Sequence, residues 1–297
     1  MDSGQPLIVP LSAAGNRASN LVGGKARTLG RLVEAGFRIP DGFCITVEAY
    51  EKFVAANDLK ATLWMELGRK PPADMRWEEI WDSALRIRSM FLAHRLSEKL
   101  RMAVAEGLNR LDSSVPLAIR SSAVGEDSAG RSFAGLHESI VGVQGKQKVE
   151  DAVRLVWASL WSDAALLYRK ELRLDPSTSR MAVLVQEMVE TDRSGVAFAR
   201  DPRNSQASLS LIEAVPGPCR LLVDGLVDPD RWEFDRESRR VISWFPGDRG
   251  DSDGGTPLLH DSDLEEIFST LMSIEQLFDW PPDMEWTGRA AELTVLQ

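Results

Sequence analysis

Apolar positions recur at three- and four-residue steps over the first two-thirds of the chain and at alternate positions over the last third, so helices are expected first and strands later. After Gly23-Gly24-Lys25, Leu29, Leu32 and Val33 fall on one helical face, and Gly36 stops that helix. Residues 37–45 read as a loop and short strand around Pro40-Asp41-Gly42, and Thr46 N-caps a second helix through Tyr50 and Phe53. Residues 76–111 are helical by pattern: Trp77, Ile80, Trp81, Leu85, Met90 and Leu92, then Leu96, Leu100, Val104 and Leu108. Trp77 and Trp81 read as core anchors. A strand over 115–120 feeds a small-residue loop from Ser121 to Gly135. One long helix is expected over about 149–172, with Val153, Val156, Trp157, Leu160 and Trp161 on its apolar side.

From Met181 the period changes to two. Residues 181–189 and 195–200 read as strands joined by a turn over 190–194, and 208–215, 231–234 and 241–245 continue the sheet signal. A polar loop over 246–257, a helix over 263–278 and strands over 284–286 and 293–297 follow. The pattern predicts a mixed protein of the α/β or α+β class, helix-rich then strand-rich, with a lobe boundary near residues 175–195.

Composition narrows the function classes. The 297 residues are 43% apolar and 27% charged, which fits a folded chain and excludes low-complexity or collagen-like classes. A net charge of −10 argues against broad binding to nucleic-acid phosphates, while leaving room for a small anion held by a few placed cations. Cys44 and Cys219 have no zinc or disulfide spacing, no stretch approaches the ~18 apolar residues of a membrane span, and no signal peptide opens the chain, so a cytoplasmic protein is expected.

Three places carry candidate chemistry. Gly23-Gly24-Lys25 at a helix start has the make-up of a phosphate loop, in which backbone N–H groups, the helix dipole and a lysine face an anion. It is not a Walker A loop, and taken alone a glycine turn with a solvated lysine explains it better. Arg120 at a strand end, followed by Ser121-Ser122, Glu126-Asp127 and Ser132-Phe133-Ala134-Gly135, is equally consistent with an active loop and with a surface loop whose arginine pairs with Glu126 or Asp127. Asp283 and Glu285 share a strand face; two acids alone read as an exposed pair on an edge strand, whereas the adjoining Trp286 and the apolar partner strand suggest a buried sheet in which such carboxylates need a metal or cations. His94, His137 and His260 have no ligand or triad spacing, and Asp248, Asp251 and Asp253 lack the spacing of a calcium loop.

Taken together, these passages resemble the N-terminal nucleotide-binding domain of the phosphoenolpyruvate synthase and pyruvate phosphate dikinase family, which includes rifamycin phosphotransferases. The resemblance rests on Val22-Gly23-Gly24-Lys25-Ala26 through Gly42-Phe43, Ile119-Arg120-Ser121-Ser122-Ala123 with the loop to Gly135, Val185-Gln186-Glu187-Met188-Val189 with Ser194-Gly195-Val196, and Asp283-Met284-Glu285-Trp286 with Leu296-Gln297. It implies a two-lobed ATP-grasp-like domain, with lobes over 1–190 and 191–297, that binds ATP and Mg²⁺. Such a domain passes a phosphoryl or pyrophosphoryl group to a histidine on a separate swivelling domain, which delivers it to an acceptor held by a further domain. By the same resemblance Lys25 and Arg120 are catalytic and contact the ATP phosphates, Gly135 and Ser139 match loop positions over them, and Gln186, Glu187, Met188 and Val189 match the segment that meets adenine. Glu285 and Gln297 would hold Mg²⁺ and phosphate oxygens, with Asp283 and Glu213 in support.

Two departures from the family pattern stand out. Gly217-Pro218-Cys219-Arg220 replaces the usual Gly-Leu-Gly-Glu, putting a cation where an acid is usual. No histidine lies in the family's Gly-Gly-x-x-Ser/Thr-His context, so the acceptor histidine is expected on another domain of the parent chain or on a partner. The strand ending at Gln297 is expected to run on into an arginine-bearing stretch, which makes the chain read as a piece of a longer protein or one subunit of a split enzyme. A nucleotide-sensing module that transfers nothing, and the ATP domain of an antibiotic phosphotransferase, are the alternative readings.

Overall fold

The computed structural model describes residues 4–70, 74–125, 136, 138–202, 208–248 and 255–297. It divides into two compact units, one of Met1–Ala35 with Asp41–Met188, the other of Gly36–Pro40 with Val189–Gln297.

The first unit is built on an antiparallel five-stranded sheet. Its strands are β1 (Ile8–Pro10), β2 (Gly42–Ile45), β3 (Leu117–Ala123), β4 (Ser139–Val143) and β5 (Met181–Glu187), in the order β1-β2-β5-β3-β4. Helix α1 (Ser19–Glu34) lies on one face, against β3 and β5. The other face carries the main core, under α2 (Val47–Ala56), α3 (Leu59–Leu67), α4 (Trp77–Ala93), α5 (Glu98–Leu108), α6 (Lys146–Ser159) and α7 (Asp163–Glu171). Thr46 caps α2 as expected, its hydroxyl accepting from Ala49 N–H at 3.4 Å. Phe53 anchors this core between Trp157 and Phe91, with ring centroids 5.1 and 5.7 Å away. Trp157 adds a hydrogen bond from its indole N–H to Met181 C=O at 3.2 Å.

Two helical expectations are corrected. Helix α4 carries two apolar stripes, and the buried one is Ile80, Ala84, Ile87 and Phe91; Trp77 and Trp81 are 59% and 48% exposed, and Leu85 and Leu92 are exposed as well. Small Ser83 and Ala84 let α4 approach α6 and α7 closely, which the indoles would prevent. The expected helix over 149–172 is broken in two. Ser162 caps α7 by accepting from Ala165 N–H at 3.1 Å, and Arg169 donates to the Leu160 carbonyl at 2.6 Å, so the break is stabilised from both sides.

In the second unit, β6 (Arg193–Phe198), β7 (Leu209–Pro216), β8 (Asp230–Asp235), β9 (Arg240–Phe245), β10 (Asp283–Thr287) and β11 (Thr294–Val295) form an antiparallel sheet ordered β11-β10-β6-β7-β8-β9. A short helix, α8 (Arg220–Val223), follows β7, and α9 (Asp261–Phe278) packs on the face bearing Ile212, Trp232, Phe234, Met284 and Trp286. Phe234 stacks on Phe268 of α9 at 4.8 Å. Asp263, buried in the first turn of α9, accepts from His260 N–H and Ala290 N–H and pairs with Arg193 at 3.4 Å, tying three segments together. The strands β5 and β6, expected to be joined by a turn, belong to different sheets. Their alternation shows that both are strands, but alternation says nothing of pairing.

Candidate functional site

In the first unit the glycine-lysine and arginine passages meet through one hydroxyl. Gly23 interrupts α1 with φ +76° and ψ 173°, a conformation essentially restricted to glycine, and a Cβ there would lie 2.0 Å from the Ser122 carbonyl oxygen. Ser122 Oγ donates to Val22 C=O at 2.8 Å and accepts from Ala26 N–H at 3.1 Å, so it bridges the kink and caps the helix that resumes beyond it. Lys25 is therefore held over the end of the strand that carries Arg120. Arg120 stands directly opposite Ser139 on β4 and Leu184 on β5, and Gln186, two residues past Leu184, faces the same way. Lys25, Arg120, Ser139 and Gln186 thus share the α1 face of the sheet. Lys25 and Arg120 are half-buried and Ser139 is exposed.

Gln186 is 2% exposed, and its Nε2 has no hydrogen-bond partner. Glu187 turns to the opposite face, where its carboxylate accepts from Asp112 N–H at 2.6 Å. The backbone N–H groups of Glu187 and Met188 donate to Asp41 and Pro116 carbonyls, each at 2.8 Å. Those two donors are already engaged. Met188 Sδ accepts from Gly142 N–H at 3.0 Å, and Val189 is exposed at the start of the second unit. Gly135, His137 and the Glu126-Asp127 pair lie outside the described residues.

In the second unit one cross-strand row runs Glu285, Val196, Glu213, Arg231, Phe245 over β10, β6, β7, β8 and β9. Opposed residues share a face, so Glu285 and Glu213 point the same way with Val196 between them, and Asp283 joins them two residues along β10. Contrary to the expectation of a buried carboxylate face, Asp283 is exposed and Glu285 half-buried, while Met284 and Trp286 fill the α9 side. Desolvation nevertheless raises the Asp283 carboxyl above the usual aspartate range. Gly195 makes room for this packing, since a Cβ there would meet Glu213 O at 1.8 Å and the Trp286 ring at 2.7 Å. Glu285 donates its N–H to Gln297 C=O at 2.9 Å and accepts from Leu296 N–H at 2.8 Å, two residues against one, which re-aims Gln297 as a β-bulge does. Among the described residues no three His, Cys, Asp or Glu side chains cluster as a metal site.

Sequence reasoning did not single out Ser122 as the joint between the two passages, nor Arg231, which stands beside Glu213 and lies 4.8 Å from the Phe245 ring centroid. The signal for Ser122 was a small hydroxyl next to an arginine, with a Gly-Gly pair elsewhere awaiting a close neighbour.

A comparison with protein families decides what this arrangement belongs to. The family described as pyruvate phosphate dikinase, AMP/ATP-binding domain, matches residues 19–297. This chain belongs to that family. Among curated members, a phosphoenolpyruvate synthase from Aeropyrum pernix is 35% identical over 75% of this chain and 28% of its own length. Rifampicin phosphotransferases from Streptomyces sviceus and Bacillus cereus are 32% and 31% identical, each over 90% of this chain and 32% of its own length. The chain thus spans about a third of the relatives it matches. The passages through Gly23, Arg120, Gln186 and Glu285 all lie inside the family match.

Proposed function

We propose that this chain is an ATP-grasp-like nucleotide-binding domain that binds ATP with Mg²⁺ and passes a phosphoryl or pyrophosphoryl group to a histidine on a separate swivelling domain. The observation that carries the reading is the Ser122 bridge, which places Lys25 at a helix start on the face that bears Arg120, Ser139 and Gln186. Two cations beside a helix N-terminus favour a polyphosphate, and fixed charge aimed at the transferring group is the main catalytic contribution available in phosphoryl transfer. The Gln186 Nε2, buried on that face with no hydrogen-bond partner, suits a polar ligand edge.

In the second unit the candidate donors are oxygens: Glu285, Glu213 and Asp283 on one face of the sheet, and Gln297 beside Glu285. That set fits Mg²⁺, which takes one or two carboxylates and completes its shell with phosphates and water. When bound, the ion would neutralise phosphate charge, while Glu285 and Gln297 fix where that charge sits. Binding of labelled ATP in the presence of Mg²⁺ tests the reading: Lys25→Ala and Arg120→Ala should each weaken it at least tenfold. A swivelling domain from a family member, added to the chain and labelled ATP, should acquire acid-labile phosphohistidine. ATP binding without any transfer would favour the nucleotide-sensing alternative.

A further inference from the structure

Away from the nucleotide-site candidates, the helical side of the first unit holds a buried cation that has no counter-charge among the described residues. Arg169 on α7 is 4% exposed, yet its recorded polar contacts are one hydrogen bond from Nη1 to the Leu160 carbonyl and a position 5.8 Å from the Trp161 ring centroid. Among the described residues no carboxylate forms an ion pair with it. A guanidinium carries five N–H donors, and the partial charge of a helix C-terminus near Leu160 offsets only part of its own. Buried charges are ordinarily paired or bound to a ligand, because desolvation without compensation is costly.

The remaining donors have somewhere to point. Arg169 lines a cavity of about 280 Å³, walled mainly by Leu67, Met75, Ile80 and Leu166, with Arg173 as a second cation. It also borders a smaller space of about 110 Å³. Lys170 is committed elsewhere, its ammonium donating to Met75 C=O at 2.7 Å. Asp175 is a carboxylate on the same cavity wall. A cavity that is apolar over most of its walls and edged by the cations Arg169 and Arg173 selects an amphiphilic anion over a bare one, since a fully hydrated ion would leave the apolar walls without a partner. We propose that Arg169 is the anchor of a binding site for a small monocarboxylate with an apolar body, separate from the residues assigned to ATP. Burial lowers the guanidinium only to about 10, so it stays charged at neutral pH, ready to take a carboxylate with its planar fork.

Titration of the chain with sodium 3-phenylpropionate, read by calorimetry and saturation-transfer NMR, tests the site. Saturable one-to-one binding is expected, with the neutral 3-phenylpropanamide and inorganic phosphate each at least tenfold weaker. Arg169→Met should weaken binding at least tenfold. Leu174 also lines the cavity, so Leu174→Trp, which fills it and leaves Arg169 in place, should abolish binding as well and serves where Arg169→Met does not fold. Lys25→Ala should leave binding unchanged, which separates this site from the nucleotide reading. Absence of saturable binding, equal binding of acid and amide, phosphate binding as tightly as the acid, or indifference to the Arg169 and Leu174 substitutions would each overturn the proposal.

Discussion

Gly23 shows how one residue can look like a ligand contact and prove to be a joint. Its backbone conformation and the Ser122 carbonyl 2.0 Å from a notional Cβ both require glycine, whether or not a phosphate is present. Gly23→Ala is therefore expected to cost about 3 kcal/mol or more in urea denaturation, combining backbone strain with overpacking. Ser122→Ala, which removes one donor and one acceptor from a buried bridge, should cost about 1–3 kcal/mol. If the bridge also positions Lys25, the Ser122 variant will lose ATP affinity while Ser121→Ala, altering a hydroxyl on the opposite face of β3, will not.

At the scale of elements, α4 and β10 each present two faces that the sequence does not rank. Ile87→Ala on the buried stripe of α4 should cost about 2–5 kcal/mol, whereas Trp77→Gln on the exposed stripe should stay within about 0.5 kcal/mol. Thermal and urea denaturation of the two variants, side by side, check the assignment. On β10 the raised Asp283 carboxyl means that the folded chain holds this proton longer than the unfolded one. Stability is then lost as pH rises from the ordinary aspartate range through the raised value. Asp283→Asn removes that loss, so the variant should be more stable than the parent at neutral pH and equal to it once both side chains are uncharged in acid. The paired strands were harder to read than their existence. Alternation identifies β5 and β6 as strands, but hydrogen bonds place them in different sheets, because partner choice depends on what each face buries.

For the whole molecule, the charge of −10 makes the expected affinity for ATP a matter of local placement rather than of net field. A ligand that binds only the folded state raises its stability by about 2.7 kcal/mol at one hundred times its dissociation constant. ATP with Mg²⁺ should accordingly raise the melting temperature, EDTA should shrink that shift, and Lys25→Ala should remove most of it; differential scanning fluorimetry reads all three. The sequence by itself determined the order and type of most elements, the helix start at Gly23 and the family, because periodicity, caps and short motifs are local properties of the chain. Only the tertiary structure decided that Ser122 joins Gly23 to the arginine strand, that the indoles of α4 face outward, that the carboxylate face of β10 lies open, and that Arg169 is buried with no acid paired to it among the described residues. Each of these depends on which distant segments come together, and burial, close approach and charge pairing exist only once they have.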